Sequence, residues 1–484
     1  MAKSQSLKKN FIMNAILTMS SFIFPLITFP YVSRILLPVG TGKVSFATSL
    51  ISYFSILAQL GIPTYGIRAC AKVRDDHEKL TRIAHELLFI NLIMSMVSYV
   101  ILAIVLLTVP KLQEDRILYI IVSMTLILNA IGMEWLYKAL EQYTYITIRS
   151  IIFKFIALIG MFLLVHSKED YVIYGALTIF AASASNIFNF INVHKYIDMK
   201  PVGNYNMKQH LKAVSVFFAM ACATTIYTHL DTVMLGFIKT DDDVGYYNAA
   251  VKIKGILVSV VTSLGAVLLP RASYYIEHKM YEEFRKISAK ALNFVFLLAT
   301  PLMLYFILFA KQGIYFLSGD AYTGSIVPMQ IIMPTLLFIG ITNILGIQIL
   351  VPMGRENVVL YSEIAGAVTD LILNALLIPK YASSGAAVGT LAAEFVVLLV
   401  QFFALREEVA GAFRKIQYYK IIVGAVLGTA ACIWTPELGQ GNFVTLVISA
   451  CLFFAVYGIT LLIWKEPLVT EIIGQLFTKF KKQK

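Results

Sequence analysis

Runs of about 20 apolar residues, the length needed to cross the hydrocarbon core of a bilayer, recur along this chain from one end to the other. They lie near residues 12–36, 44–67, 84–108, 117–137, 147–165, 171–193, 213–236, 246–270, 290–313, 324–350, 358–378, 384–405, 420–434 and 442–464. In hydrocarbon a backbone can satisfy its own N–H and C=O groups only as a helix or a closed barrel. Runs of this length mean helices, so the expected fold is all-α and polytopic, with about 14 transmembrane helices. Composition agrees: 58% of residues are hydrophobic and 14% charged, against about 25% charged in soluble domains. The first run follows Lys3, Lys8 and Lys9 as a signal peptide would. It is too long for a signal-peptide core and has no small-residue cleavage site, so it is expected to stay as a helix.

A net charge of +12 raises the question of nucleic acid, and the distribution of that charge answers it. With the N-terminus inside, 29 of the 40 Lys and Arg fall in inner loops and tails and 8 in outer loops, while Lys154, Lys252 and Lys254 sit within helices. This asymmetry is the positive-inside rule. It places both termini in the cytoplasm, in a cell (plasma) membrane, and leaves no reason to invoke nucleic acid. Cys70, Cys222, Cys432 and Cys451 have no CxxC spacing, and the seven histidines form no HExxH. No disulfide framework, catalytic metal or cofactor is indicated.

Sliding the sequence by 203 positions lays VGTGKVSFATSLISYF (from Val39) over TDDDVGYYNAAVKIKG (from Thr240), so that Gly42 falls on Gly245 and Arg68 on Arg271. A second echo pairs LLVHSKEDYVIYGAL (from Leu163) with LLIPKYASSGAAV (from Leu376). The expected organisation is therefore two six-helix lobes, 1–200 and 201–406, followed by helices 13 and 14 and a basic tail in 407–484. Repeats of this kind are common in secondary transporters. Residues 271–290 and the tail, with Ile472, Leu476 and Phe480 every four residues beside Lys479, Lys481, Lys482 and Lys484, read as amphipathic surface helices that meet membrane lipids.

Six ionisable residues lie well inside predicted helices: Lys154, Asp231, Lys252, Lys254, Asp370 and Glu394. At roughly 3 kcal/mol each against lipid, about 18 kcal/mol in total would exceed a typical stability of 5–15 kcal/mol. Most must face protein or water. Residues three, four or seven apart share a helix face, which aligns Thr224, Thr228 and Asp231; Glu363, Asp370 and Asn374; Thr390, Glu394 and Gln401; and Asn248, Lys252 and Ser259. Asn186, Asn189 and Asn192 form a further stripe. His229 lies about 200° from Asp231 and reads as a packing residue. Such stripes either line a wet cavity or hydrogen-bond between helices.

Several stretches resemble the Wzx-type polysaccharide-repeat flippases of the multidrug/oligosaccharidyl-lipid/polysaccharide exporter (MOP) superfamily. They are PYVSRILLPVGTGKVSFATSLISYF, DTVMLGFIKTDDDVGYYNAAVKI, LLPRAS and LILNALLIPKYASSGAAVGTLAAEF, in that order along nearly the whole chain. The resemblance implies two six-helix bundles facing each other in a V, as in MATE transporters, with two helices appended. It also implies that an undecaprenyl-pyrophosphate-linked oligosaccharide moves from the inner to the outer leaflet by alternating access, with the polymerase and chain-length machinery of the same pathway as partners. Related lipid II flippases carry arginines deep in their first two helices, whereas Arg34 and Arg68 here lie near helix ends. A diphosphate cargo needs cations, which Lys252, Lys154 and Arg34 supply; Asn248, Asn374 and Gln401 suit sugar hydroxyls. Asp231, Asp370 and Glu394 are candidates for ion coupling or charge pairing, and they keep open a cation-coupled multidrug antiporter. A membrane polymerase or glycosyltransferase would need a sizeable outer loop with catalytic groups, and none exists; the chain is not expected to be an enzyme. A passive scaffold leaves the polar stripes unexplained.

The 29-to-8 charge split predicts that reporters fused to either end read out in the cytoplasm. A fusion that finds Lys484 outside contradicts it.

Overall fold

The computed structural model describes residues 7–471 together with Gly474. The basic tail carrying Ile472, Leu476, Phe480 and Lys479, Lys481, Lys482 and Lys484 lies outside the described residues, as does Lys3. The described residues are mostly helical, with no strand. Among the described residues ten helices are long and apolar enough to cross a membrane, or eleven if the pair Asp320–Ile332 and Thr335–Leu350, bent by 47°, is one span. The expected fourteen would count the two longest helical stretches twice and add the shorter apolar helix Arg116–Gly132.

Those two stretches cannot be single crossings. The first helix, α1 (Leu7–Gln59), has 53 residues. Straight, it would run about 80 Å at 1.5 Å per residue, against a hydrocarbon core of about 30 Å. It breaks at Leu37, φ 59°, just before Pro38. Proline withholds an N–H from the helix and disfavours helical backbone in the residue before it. The 49-residue α16 (Glu356–Ala404) breaks likewise at Ala382, φ 48°, three residues after Pro379. Both breaks fall in the gaps between predicted runs.

The chain divides into two compact units, Met1–Gly245 and Tyr246–Lys484. In the first, α1 is followed by α2 (Ile62–Ala71), α3 (His77–Thr108), α4 (Pro110–Gln113), α5 (Arg116–Gly132), α6 (Glu134–Ala139), α7 (Tyr143–Leu164), α8 (Tyr171–Ile179), α9 (Asn186–Asn192) and α10 (Lys208–Ile238). The long α1 packs against α3, α5, α7 and α10. Asp76 caps α3 by accepting from the Lys79 amide at 3.1 Å. Lys43 on α1 pairs with Asp115 at 2.9 Å, and the Tyr171 hydroxyl donates to the same carboxylate at 2.6 Å. The start of α8 is thereby tied to α1.

The remaining helices are α11 (Asp241–Glu277), which begins at the end of the first unit, then α12 (Tyr281–Leu308), α13 (Ala310–Ser318), α14 (Ile326–Ile332), α15 (Thr335–Thr342), α16, α17 (Arg406–Lys415), α18 (Tyr418–Cys432) and α19 (Asn442–Ile463). Within the second unit α18 and α19 pack on each other and dock against α12. Tyr305 of α12 donates its hydroxyl to the Leu446 carbonyl at 2.8 Å, and Tyr457 of α19 donates to the Leu297 carbonyl at 2.9 Å. The buried Lys420 ammonium donates to the Trp464 and Lys465 carbonyls at the end of α19. Glu466 accepts from Asn293 of α12 at 2.8 Å. These are buried or charge-assisted bonds, the class that contributes most per contact.

Two expectations change. Residues 271–290 are not a separate surface helix. Instead α11 continues to Glu277 and α12 begins at Tyr281, with Lys279 in a left-handed turn, φ 58°. A helix that projects past the membrane into water carries the same 3.6-residue polarity as one lying on its surface. The run 324–350 is also not one helix: it bends near Met333 and Pro334 and closes in π-helical turns over Asn343–Leu350.

Gly42 and Gly245, aligned by the offset of 203 residues, occupy one contact. A Cβ added at Gly42 would sit 1.8 Å from the Asp241 carbonyl oxygen, and one at Gly245 would sit 2.2 Å from that of Pro38. The chain at the start of α11 therefore lies backbone to backbone against α1, an approach open only to glycine. Gly42→Val is expected to cost about 1–3 kcal/mol or more, the range for overpacking, seen as a lower melting temperature of detergent-purified protein. Gly458→Ala, where no atom lies within 4 Å of the added Cβ, should melt like the parent. A Gly42→Val protein as stable as the parent contradicts the contact.

Candidate functional site

Lys154 projects from the middle of α7. Its ammonium donates to Ser20 Oγ at 2.8 Å and Ser21 Oγ at 2.9 Å, both on the first limb of α1. These two hydroxyls give their own protons to the Leu17 carbonyl, at 2.7 and 3.3 Å, so they turn lone pairs toward the cation. Among the described residues no carboxylate lies within ion-pair distance of Lys154. An ammonium has three N–H donors, so one remains for a further acceptor.

Other cations of the first unit are placed differently. Arg149, five residues earlier on α7, is buried; it donates to the Ser185 carbonyl at 2.9 Å and lies 3.8 Å from Glu134. Five residues turn a helix by about 140°, so Arg149 and Lys154 leave α7 on different faces. Arg34 is exposed, and its guanidinium donates to the Pro30 carbonyl of its own helix. It stands about 20 Å along α1 from the serines that hold Lys154. Arg34 and Lys154 do not form one cluster.

Asp231 is buried on α10. Thr224 and Thr228, aligned with it, are exposed and return their hydroxyls to the Met220 and Thr224 carbonyls at 3.2 and 2.6 Å. His229 turns the other way, as the helical angle requires, and its Nδ1 lies 3.2 Å from Ser49 Oγ on α1.

In the second unit, Asn248 and Lys252 are half-buried on α11. Asp370 and Asn374, one turn apart on α16, are buried and meet at a single seam: a Cβ at Gly389 would lie 2.4 Å from Asn374 Oδ1 and 2.9 Å from Asp370 Oδ1. Next to that glycine, Thr390 Oγ1 lies 2.8 Å from the Tyr247 hydroxyl. This links the second limb of α16 to α11 beside Asn248. Glu394 is buried one turn on. Gln401 donates to Ser362 Oγ at 3.0 Å and packs on Gly346, so it joins the two limbs of α16 to each other.

A cavity of about 300 Å³ opens within the first unit. Ser52, Ser55 and Gln59 line it from the second limb of α1, Thr64 from α2, and Thr225 and His229 from α10. Asp231 is not part of its wall. Of these six only His229 was considered from sequence, and as a packing residue. The spacing of three and four between Ser52, Ser55 and Gln59 was a readable signal, but a search for charges passes over neutral hydroxyls.

The family profile described as "Polysaccharide biosynthesis protein" matches residues 7–276, and that of "MatE" matches 216–376. An Escherichia coli K12 protein named "Putative O-antigen transporter" is 25% identical over 403 residues, covering 83% of this chain and 97% of that protein. Among solved structures, "Lipid II flippase MurJ, inward closed conformation" superposes with a TM-score of 0.72 at 17% identity, covering 95% of this chain and 100% of that one. An inward-facing multidrug resistance MATE family transporter of the MOP superfamily superposes with a TM-score of 0.59 at 15% identity, covering 84% of this chain and 99% of that one. These superpositions identify the fold as that shared by MurJ and MATE transporters. With more than half of its length matched by the first profile, this multi-pass membrane chain belongs to the polysaccharide biosynthesis protein family.

Proposed function

We propose that this protein is a flippase, not an enzyme, that carries an undecaprenyl-diphosphate-linked oligosaccharide from the inner to the outer leaflet of the plasma membrane, for assembly of a surface polysaccharide. Its family and the name of its E. coli relative support a polysaccharide cargo. The single observation that carries the anionic part is Lys154. It is an ammonium within a membrane helix whose protein partners are two hydroxyls that have already spent their protons. Hydroxyls make the burial of that charge tolerable without neutralising it, which suits a group that must release a phosphate as well as bind one. Lys252 is the corresponding cation of the second unit, on the same face as Asn248; Asn374 offers an amide for sugar hydroxyls. Gln401 positions helix limbs, and Arg34 meets the diphosphate at another stage of its passage. The polymerase and chain-length machinery of the same pathway would receive the product, and the charge asymmetry keeps both termini in the cytoplasm.

Moving one charge through 100 mV is worth about 2.3 kcal/mol, so two negative charges leaving a negative cell gain about 4.6 kcal/mol. The membrane potential can then drive export alone. Buried Asp231, Asp370 and Glu394 favour a second reading in which a cation is exchanged for cargo. The same acids would serve a multidrug antiporter, but such a carrier would not gain from the two lysines.

Lysine serves phosphate as a point charge, so arginine should replace it in part and glutamine should not. Lys252→Gln and Lys154→Gln are each expected to reach the membrane at parental level but lose most surface polysaccharide and accumulate the lipid-linked unit in the inner leaflet, while Lys252→Arg keeps some export. Normal polysaccharide in cells carrying only Lys252→Gln, at parental protein level, removes Lys252 from the site.

A further inference from the structure

The cavity between α1 and α10 has a wall chemistry different from that around the lysines. None of its lining residues is Asp, Glu, Lys or Arg, and His229 is the one titratable group among them. Ser52 gives its proton to the Thr48 carbonyl at 2.8 Å and so offers lone pairs. Ser55 receives a hydrogen bond from Gln59 Nε2 at 2.7 Å and so keeps its own proton to donate. Thr225 departs from its neighbours: Thr224 and Thr228 bond back to their helix, whereas among the described residues neither Thr225 nor Thr64 has a side-chain hydrogen bond. The Gln59 carboxamide oxygen and His229 Nε2 are in the same position. Polar groups left this way in a membrane-embedded unit cost about 1–3 kcal/mol each unless water or a ligand meets them.

We propose that this cavity is a subsite for one uncharged sugar residue of the cargo glycan, an inference that rests on the flippase reading. A sugar hydroxyl both donates and accepts, and this wall offers acceptor lone pairs at Ser52 and the Gln59 oxygen and a donor at Ser55. Gly61, Ile56, Pro63 and Ala221 complete the lining, and the last three suit the C–H face of a pyranose ring. A polyprenyl tail would want a wholly apolar wall. A cationic drug would want carboxylates or aromatic faces, and the lining has neither. A diphosphate would want cations, which lie elsewhere. At about 300 Å³ the cavity is at the small end of ligand pockets, which run from roughly 300 to 1,000 Å³; it fits a single residue and not a whole repeat unit. Neutral walls make it selective against uronic acids and other charged sugars.

The test compares two probes on protein in lipid nanodiscs: a short-chain polyprenyl diphosphate bearing one N-acetylglucosamine, and the same polyprenyl diphosphate with no sugar. The parent is expected to bind the glycosylated probe more tightly. Thr225→Val and Gln59→Leu should each weaken the glycosylated probe about fivefold to tenfold, the worth of one neutral hydrogen bond, and leave the sugar-free probe unchanged. Thr225→Ser, which keeps the hydroxyl, should retain parental affinity; if it falls with Thr225→Val, the subsite is overturned. Unchanged affinity for the glycosylated probe in both Val and Leu variants, or an equal loss for both probes, also overturns it. A parent that binds both probes alike leaves the flippase reading standing and removes the subsite, whereas a parent that binds neither removes both. Free N-acetylglucosamine competing as well as the glycosylated lipid would make this a soluble-sugar site and contradict the assignment to the cargo.

Discussion

A polar group surrounded by hydrocarbon has no water to turn to, and most polar features of this protein answer that constraint. The backbone answers it by coiling into helices. The side chains answer it in pairs: Lys154 on Ser20 and Ser21, Arg149 on the Ser185 carbonyl, and Gln401 on Ser362. Leaving such a group unmet costs about 1–3 kcal/mol on mutational scales, a large part of a net stability of about 5–15 kcal/mol. A group met only by neutral partners is therefore informative. Lys154 meets two neutral hydroxyls, and the wall of the α1–α10 cavity keeps open donors and acceptors, at places where a purely structural design would have closed them.

The same constraint shapes how helices join. Backbone approaches at Gly42 and Gly245 bring the start of α11 close against α1, and Gly389 leaves room for the Asn374 and Asp370 side chains within α16. Elsewhere a hydroxyl or an ammonium also reaches across from one helix to a carbonyl of the next. Tyr305, Tyr457 and Lys420 do this between α12, α18 and α19, so within the second unit these helices are joined by buried polar bonds as well as by apolar packing.

Much of this fold could be read directly from the sequence, because apolar run length is set by bilayer thickness. The gaps left between the first two runs and between 378 and 384 coincide with the breaks at Leu37 and Ala382, each near a proline that forbids a continuous helix. The offset of 203 residues that aligned Gly42 with Gly245 singled out two glycines that touch. What could not be read was how a helix ends in water, which hid the junction of α11 with α12, and the bend at Met333 and Pro334. At the site, charges stood out against an apolar background, so Lys154, Lys252, Asp231, Asp370 and Glu394 were visible. Neutral groups were not: a threonine in a membrane helix ordinarily bonds to its own backbone, and only coordinates reveal that Thr224 and Thr228 do so while Thr225 does not.

The central claim is that this protein moves an anionic, glycan-bearing lipid across a bilayer, and reconstitution tests it most directly. Purified protein in liposomes holding a fluorescent polyprenyl diphosphate oligosaccharide in both leaflets would be exposed to a membrane-impermeant quencher, with and without an imposed potential. The account predicts that the inner-leaflet probe becomes quenchable only when protein is present, and faster when the potential draws negative charge outward. If the inner-leaflet probe stays protected under every potential and ion gradient, while the same liposomes transport a cationic dye, the protein is a drug antiporter and the account is wrong.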